Sequence, residues 1–140
     1  MNNLQHRPTY TVLDHTADLA LRVYGDSLEE LFANAATGMF AQMADLSEVP
    51  LTVQRVVSVE GVDNESLLVA WLSELLYLRE THREAYTRFR VQFPAPDRLE
   101  GVAEGGPWQA FERPIKAVTF HGLRIEYQAG GYRATIVFDV

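Results

Sequence analysis

The chain has 140 residues, 47% of them hydrophobic and 11% aromatic, with nineteen Asp and Glu against twelve Lys and Arg. That size and apolar content suit one self-sufficient core and place the chain outside the disordered class. The absence of cysteine excludes disulfides, thiol catalysis and thiolate zinc sites, while a formal charge of −7 and a single lysine, Lys116, argue against tight direct binding to RNA or DNA unless the fold gathers arginines into a local cluster.

The expected organisation is one domain over residues 1–140, with residues 1–9 as a polar tail. Met1 to Pro8 lacks the apolar run of a secretory leader, and Leu67 to Leu78 is too short and too interrupted to span a bilayer. The expected location is therefore the cytoplasm. Tyr10–Asp14 and Leu19–Gly25 read as short strands; in the second, Leu19, Leu21 and Val23 alternate with Ala20, Arg22 and Tyr24. Gly25-Asp26-Ser27 stops that strand and starts a helix, with Asp26 or Ser27 as cap and Glu29 or Glu30 three residues on. Leu28, Leu31, Phe32, Ala35, Met39, Phe40 and Met43 fall at helical spacing and form one apolar face, the methionines as core filler.

Asp45–Pro50 breaks the pattern, and Leu51–Glu60 follows as a strand with Val53, Arg55 and Val57 on one side and Gln54, Val56 and Ser58 on the other. A turn at Gly61–Asn64 leads into a second helix, capped by Asp63 or Asn64, that runs to about Leu78 on a stripe of Leu67, Leu68, Trp71, Leu72, Leu75 and Leu76. Thr81–Ala85 reads as a polar loop, Tyr86–Phe93 as a strand, and Pro94–Asp97 as a turn. Arg98–Glu104 is a weak strand and Gly105–Pro114 a loop. Two strong strands, Ile115–Tyr127 and Tyr132–Val140, close the chain around Gly130-Gly131, a hairpin signal. The order ββαβα followed by antiparallel strands predicts an α+β fold, two helices packed on one face of a mainly antiparallel or mixed sheet.

Polar residues concentrate in Asp14-His15-Thr16-Ala17-Asp18, between two apolar runs. Strand interiors disfavour Asp, so the segment is expected at a bend or bulge. His-x-x-Asp by itself is equally met by a turn in which Asp14 or Asp18 bonds a backbone N–H and His15 is solvated. A site requires a second carboxylate from far along the chain, and Asp139 supplies it if the last strand lies beside the first. Asp18, Asp139 and the Val140 carboxylate then present oxygens to a hard cation, Ca²⁺ or Mg²⁺, with Mn²⁺ also compatible. His121 interrupts an apolar strand beside Gly122, either as a partner of a backbone carbonyl or as part of a site, and Lys116 precedes it as a cation able to pair with the acidic cluster. No Walker-type phosphate loop, dinucleotide fingerprint or Gly-x-Ser-x-Gly elbow is present. No activated nucleophile stands beside Asp14, His15 and Asp18, so the expectation is a non-catalytic protein.

Taken together, Asp14–Asp18, Tyr24–Glu30, Glu65-Ser66-Leu67-Leu68 with Trp71–Tyr77, Ile115–Leu123 and the final Phe138-Asp139-Val140 resemble the archease family, in the right order from about Tyr10 to Val140. The chain departs from the family pattern at Trp108–Pro114 and at Arg79–Tyr86. The resemblance implies a fold related to the Hsp33 chaperone domain. It also implies a protein partner, the GTP-dependent RNA ligase of tRNA splicing and RNA repair, whose guanylylation and turnover the protein promotes, RNA being reached only indirectly. It further implies a divalent cation held by Asp18, Asp139 and Val140; the residues themselves suggest Ca²⁺ first, with Asp14, His15, Lys116 and His121 as supporting or partner-contacting residues. A general chaperone or scaffold without metal chemistry, and a small metal-assisted hydrolase, are the alternatives.

Overall fold

A computed structural model describes residues 7–13, 18–110 and 113–140. The elements follow as β1 (Tyr10–Leu13), β2 (Leu19–Gly25), α1 (Leu28–Ala41), a 3₁₀ turn at Leu46–Glu48, β3 (Val53–Glu60), α2 (Asn64–His82), β4 (Glu84–Ala95), β5 (Arg98–Pro107), β6 (Ala117–Val118), β7 (Ile125–Gln128) and β8 (Gly131–Asp139). The α+β reading holds. The strands, however, form two antiparallel sheets instead of one. The first is ordered β1-β2-β8-β6, with β7 also on β8, and the second β3-β5-β4. The division is invisible in periodicity because it depends on which distant strands pair, and both helices contact both sheets.

The start of α1 obeys its sequence signal. Ser27 Oγ accepts from the Glu30 N–H at 3.1 Å, satisfying an orphan amide of the first turn, and Glu30 Oε1 reaches back to accept from the Asp26 N–H, just before the cap, at 2.6 Å. Leu31, Phe32, Ala35, Met39 and Phe40 are buried against β2 on one side and β4 on the other. In α2 the whole predicted stripe from Leu67 to Leu76 is buried, and Asp63 caps it by accepting from the Ser66 N–H at 2.7 Å. The indole N–H of Trp71 donates to the Phe32 carbonyl at 3.0 Å, which ties the two helices at the centre of the core. Ring-edge contacts of Trp71 on Phe89 and of Phe32 on Phe93 extend that centre to β4.

Four boundaries differ from the sequence reading. The helix α2 continues to His82 and ends on Arg83 in the left-handed conformation (φ 55°), so Thr81–Ala85 is helix end and strand start, not a loop. The apolar count falls after Leu78, but the helix persists because Arg79 lies buried beneath it. The strand β5 is the ten-residue centre of its sheet, including Gly105 and Gly106. Its glycines resemble a loop signal but occupy places where a Cβ would strike the Ala85 carbonyl or the Pro50 backbone. Pro94 and Ala95 belong to β4, which lies at a sheet edge where proline costs no ladder bond. Finally, Ile115–Tyr127 is broken into β6 and β7 by a turn at His121-Gly122, where Gly122 has φ 63°. The closing hairpin turns through Ala129 and Gly130, both at positive φ, as two-residue hairpin loops require. Arg7 to Thr9, expected as tail, are tied down: Arg7 donates to the Ala129 carbonyl at 2.8 Å, and the Thr9 carbonyl accepts from the Tyr24 N–H at 3.2 Å. Among the described residues no helix is long and apolar enough to cross a membrane.

Candidate functional site

Strands β2 and β8 position the acidic residues. Their antiparallel register pairs Leu19 with Phe138, Leu21 with Ile136 and Val23 with Ala134, all buried toward α1. Continued by one residue, that register sets Asp18 opposite Asp139. Because side chains alternate along a strand, both fall on the outward face of the sheet, the face opposite Leu19 and Phe138. Asp139 ends β8 and is exposed; Asp18 is half-buried at a bend just before β2; Val140 follows, 37% exposed. On its other side Asp139 pairs with Ala117, and its carbonyl accepts from the Lys116 N–H at 2.7 Å. The short strand β6 thereby fixes the backbone of Asp139 and keeps Lys116 beside it.

His121 is not brought to this cluster. It lies exposed in the turn after β6, its N–H donating to Thr119 Oγ1 at 3.2 Å, while Thr119 itself is tied to the Val137 carbonyl. That leaves it further back along β8, away from the strand's acidic end. Asp14 and His15 lie outside the described residues. Among the described residues no three His, Cys, Asp or Glu side chains cluster tightly enough to hold a metal. The donors that Asp18, Asp139 and Val140 carry are all oxygens, a chemistry suited to a hard cation and unsuited to zinc, which favours nitrogen and sulfur.

A cleft of about 470 Å³ adjoins this end of the molecule, between the C-terminal half of α2 (Leu76, Tyr77, Arg79) and Ile115, Lys116 and Val118. Arg79 donates to the Ile115 carbonyl at 3.4 Å and lies 3.7 Å from Glu80. Burial lowers its pKa, countered by Glu80. Nothing in the periodicity of the sequence marks Arg79, since it falls on the buried side of a helix whose apolar stripe has already ended.

The other charged network that sequence reasoning missed lies on β3 and β4. Arg55 grips Glu84 through two bonds of 2.9 and 2.8 Å, and Tyr86 donates its hydroxyl to Glu84 at 2.7 Å. The guanidinium bonds hold the Glu84 carboxyl below the ordinary carboxylate range, and burial with the Glu84 bond pushes the Tyr86 phenol up. Arg55 shows in the sequence only as a charge at an inward strand position.

Residues 10–140 match the model of the Archease protein family. Proteins named archease from Methanosarcina mazei and Archaeoglobus fulgidus are 39% and 38% identical to the chain, over 94% of it and 95% and 98% of their own lengths. The solution structure of protein 1598 of Methanobacterium thermoautotrophicum superposes with a TM-score of 0.79 at 32% identity, covering 94% of this chain and 99% of that one. A crystal structure from Thermotoga maritima, described as an archease and possible chaperone, superposes with a TM-score of 0.61 at 20% identity, over 96% of this chain and all of that one, and shares the fold.

Proposed function

The chain belongs to the archease family, and we propose that it is an auxiliary protein to a GTP-dependent RNA ligase of tRNA splicing or RNA repair, promoting the ligase's guanylylation and repeated turnover without making or breaking the bonds itself. The observation that carries this reading is the register that puts Asp18 and Asp139 on one face at the end of the first sheet, beside Lys116. Two carboxylates facing each other across strands repel and gain from a shared cation. The donor set is that of a Ca²⁺ or Mg²⁺ site, with Mn²⁺ also compatible. Asp18, Asp139 and Val140 would hold the ion, and when bound it would supply positive charge at an exposed acidic end. The residues of this chain do the positioning: β6 fixes the Asp139 backbone, and Lys116 offers a second cation to a partner's anionic centre. Asp14 and His15 precede Asp18 in sequence and are assigned a supporting role there. His121, remote from the pair, is assigned to partner contact.

The test is ligation by the partner enzyme at substrate excess, with and without this protein, with a chelator, and with Asp18→Asn and Asp139→Asn. Stimulation should fall on the order of tenfold or more in either variant and on chelation, with circular dichroism unchanged. Full stimulation by both variants would remove the metal site from the mechanism. Equal suppression of aggregation of unrelated proteins with or without chelator would favour a general chaperone, and turnover of phosphoesters by this protein alone would favour a hydrolase.

A further inference from the structure

We propose that the outward face of the first sheet contacts the phosphodiester backbone of single-stranded RNA, with Arg22, Arg124 and Arg133 facing phosphates and Tyr24 offering a ring for a base to stack on. The proposal goes beyond the ligase reading and is independent of it, since it is measured with RNA and this protein alone.

The register of β2 and β8 lays the outward residues in rows: Ala20 with Val137, Arg22 with Thr135, and Tyr24 with Arg133. The next strand extends the last row, Glu126 of β7 pairing with Arg133. Arg22 Nε donates to Thr135 Oγ1 at 3.3 Å, so its guanidinium lies along the face and not inside it. Thr135 in turn lines a depression of about 160 Å³ with Gly122, Arg124, Glu126 and Arg133. Arg133 also borders a neighbouring depression with Tyr24 and Arg7. Four of the chain's eleven arginines therefore meet on one face.

Two carboxylates answer them. Glu126 lies 3.3 Å from Arg133, and Asp26 lies 3.4 Å from Arg7. Among the described residues Arg22 and Arg124 have no carboxylate at ion-pair distance. A chain of net charge −7 thus holds two guanidiniums without a carboxylate, both beside Thr135, where the face is half-exposed, while Ala20 and Val137 in the next row are buried. Guanidinium forks match phosphate oxygens, and the half-buried Tyr24, in the next row beside Arg133, matches the sequence-tolerant stacking of single-stranded bases. The same face ends in the Asp18–Asp139 row, four residues along β2 from Arg22. At about 3.3 Å per residue that is roughly 13 Å.

The measurement is fluorescence anisotropy of an end-labelled single-stranded RNA of about 12 nucleotides with the full chain, over a series of salt concentrations. Contacts to three phosphates give a slope of log affinity against log salt of about −2. Arg22→Ala with Arg124→Ala should weaken binding at least about fivefold and remove roughly two-thirds of that slope. Tyr24→Leu should weaken binding and leave the slope unchanged. Arg124→Glu, at an exposed position just before β7, should abolish binding without touching the fold. Arg88→Ala with Arg90→Ala, on the outward face of the second sheet, should change nothing. Absence of binding at low salt would overturn the proposal, as would equal loss in the Arg88 and Arg90 variant. So would retention of full affinity in the Arg22 and Arg124 variant, or polyglutamate or anionic vesicles binding these arginines as well as RNA does.

Discussion

At the scale of residues, the Arg55–Glu84–Tyr86 network decides how the molecule responds to pH. Glu84 is almost wholly buried and receives three hydrogen bonds, two from Arg55 and one from Tyr86. Its carboxyl titrates lower in the folded chain than its unfolded value of about 4.3. The stability it supplies is therefore complete above that value and is lost as pH falls through the folded one. Tyr86 runs the opposite way: its folded value is raised, so its contribution is complete below about pH 10 and is lost on further alkalinisation. Glu84→Ala strands a guanidinium and a buried hydroxyl together, and should cost about 3 kcal/mol in urea unfolding at neutral pH. The gap between wild type and variant should close as pH is lowered below 4. A gap independent of pH would mean that packing, not charge, carries the effect. None of this network was legible in the sequence. Arg55 faces inward by alternation, but its partners sit two strands away across β5, and only pairing of distant strands brings them together.

At the scale of elements, the starts of helices were legible, and the extension of β5 through Gly105 and Gly106 was not. Ser27, Glu30 and Asp63 act within four residues of themselves, so their roles follow from local chemistry. Gly101 acts against Trp71, thirty positions earlier, so local rules give no sign of why a glycine stands there, whereas Gly122 only opens a turn. The two kinds of glycine should separate by mutation. At Gly101 an added Cβ would enter the indole ring of Trp71, which is buried and held by its bond to Phe32. Gly101→Ala should destabilise by about 3 kcal/mol. Gly122 meets nothing within 4 Å, and only its φ of 63° opposes a side chain. Gly122→Ala should then cost about 1 kcal/mol, the left-handed penalty alone. Chemical denaturation of the two variants checks the difference, and equal costs would show that Trp71 moves aside freely. Ser27→Ala, removing one capping bond, should also cost about 1 kcal/mol.

At the scale of the whole molecule, the candidate site exists because the chain's two ends are sewn together. Asp18 and Asp139 are more than a hundred residues apart in sequence and opposite each other once the β2–β8 register is continued by one residue. The sequence could name them as oxygen donors, and the family resemblance could link them, but only the ladder makes them neighbours. A cation between them would act as a clasp on that ladder, so binding should appear as stability. Ca²⁺ at about 100 times its dissociation constant adds about 2.7 kcal/mol to a state that alone binds it. For a chain of this size that is a rise in Tm of roughly 5–10 °C. Without metal, facing carboxylates repel, so Asp139→Asn should leave the metal-free Tm equal to that of wild type or slightly higher, with up to about 1 kcal/mol of repulsion relieved, and Asp18→Asn is read against its own metal-free Tm. Adding Ca²⁺ to these variants should then change little. Differential scanning calorimetry with chelator, with Ca²⁺, and with NaCl at matched ionic strength separates this from general screening. A rise shared by wild type and both variants would put the cation elsewhere. A fall in metal-free Tm in the Asp139 variant would mean that this aspartate holds the strands together by hydrogen bonds of its own, with no need of a metal.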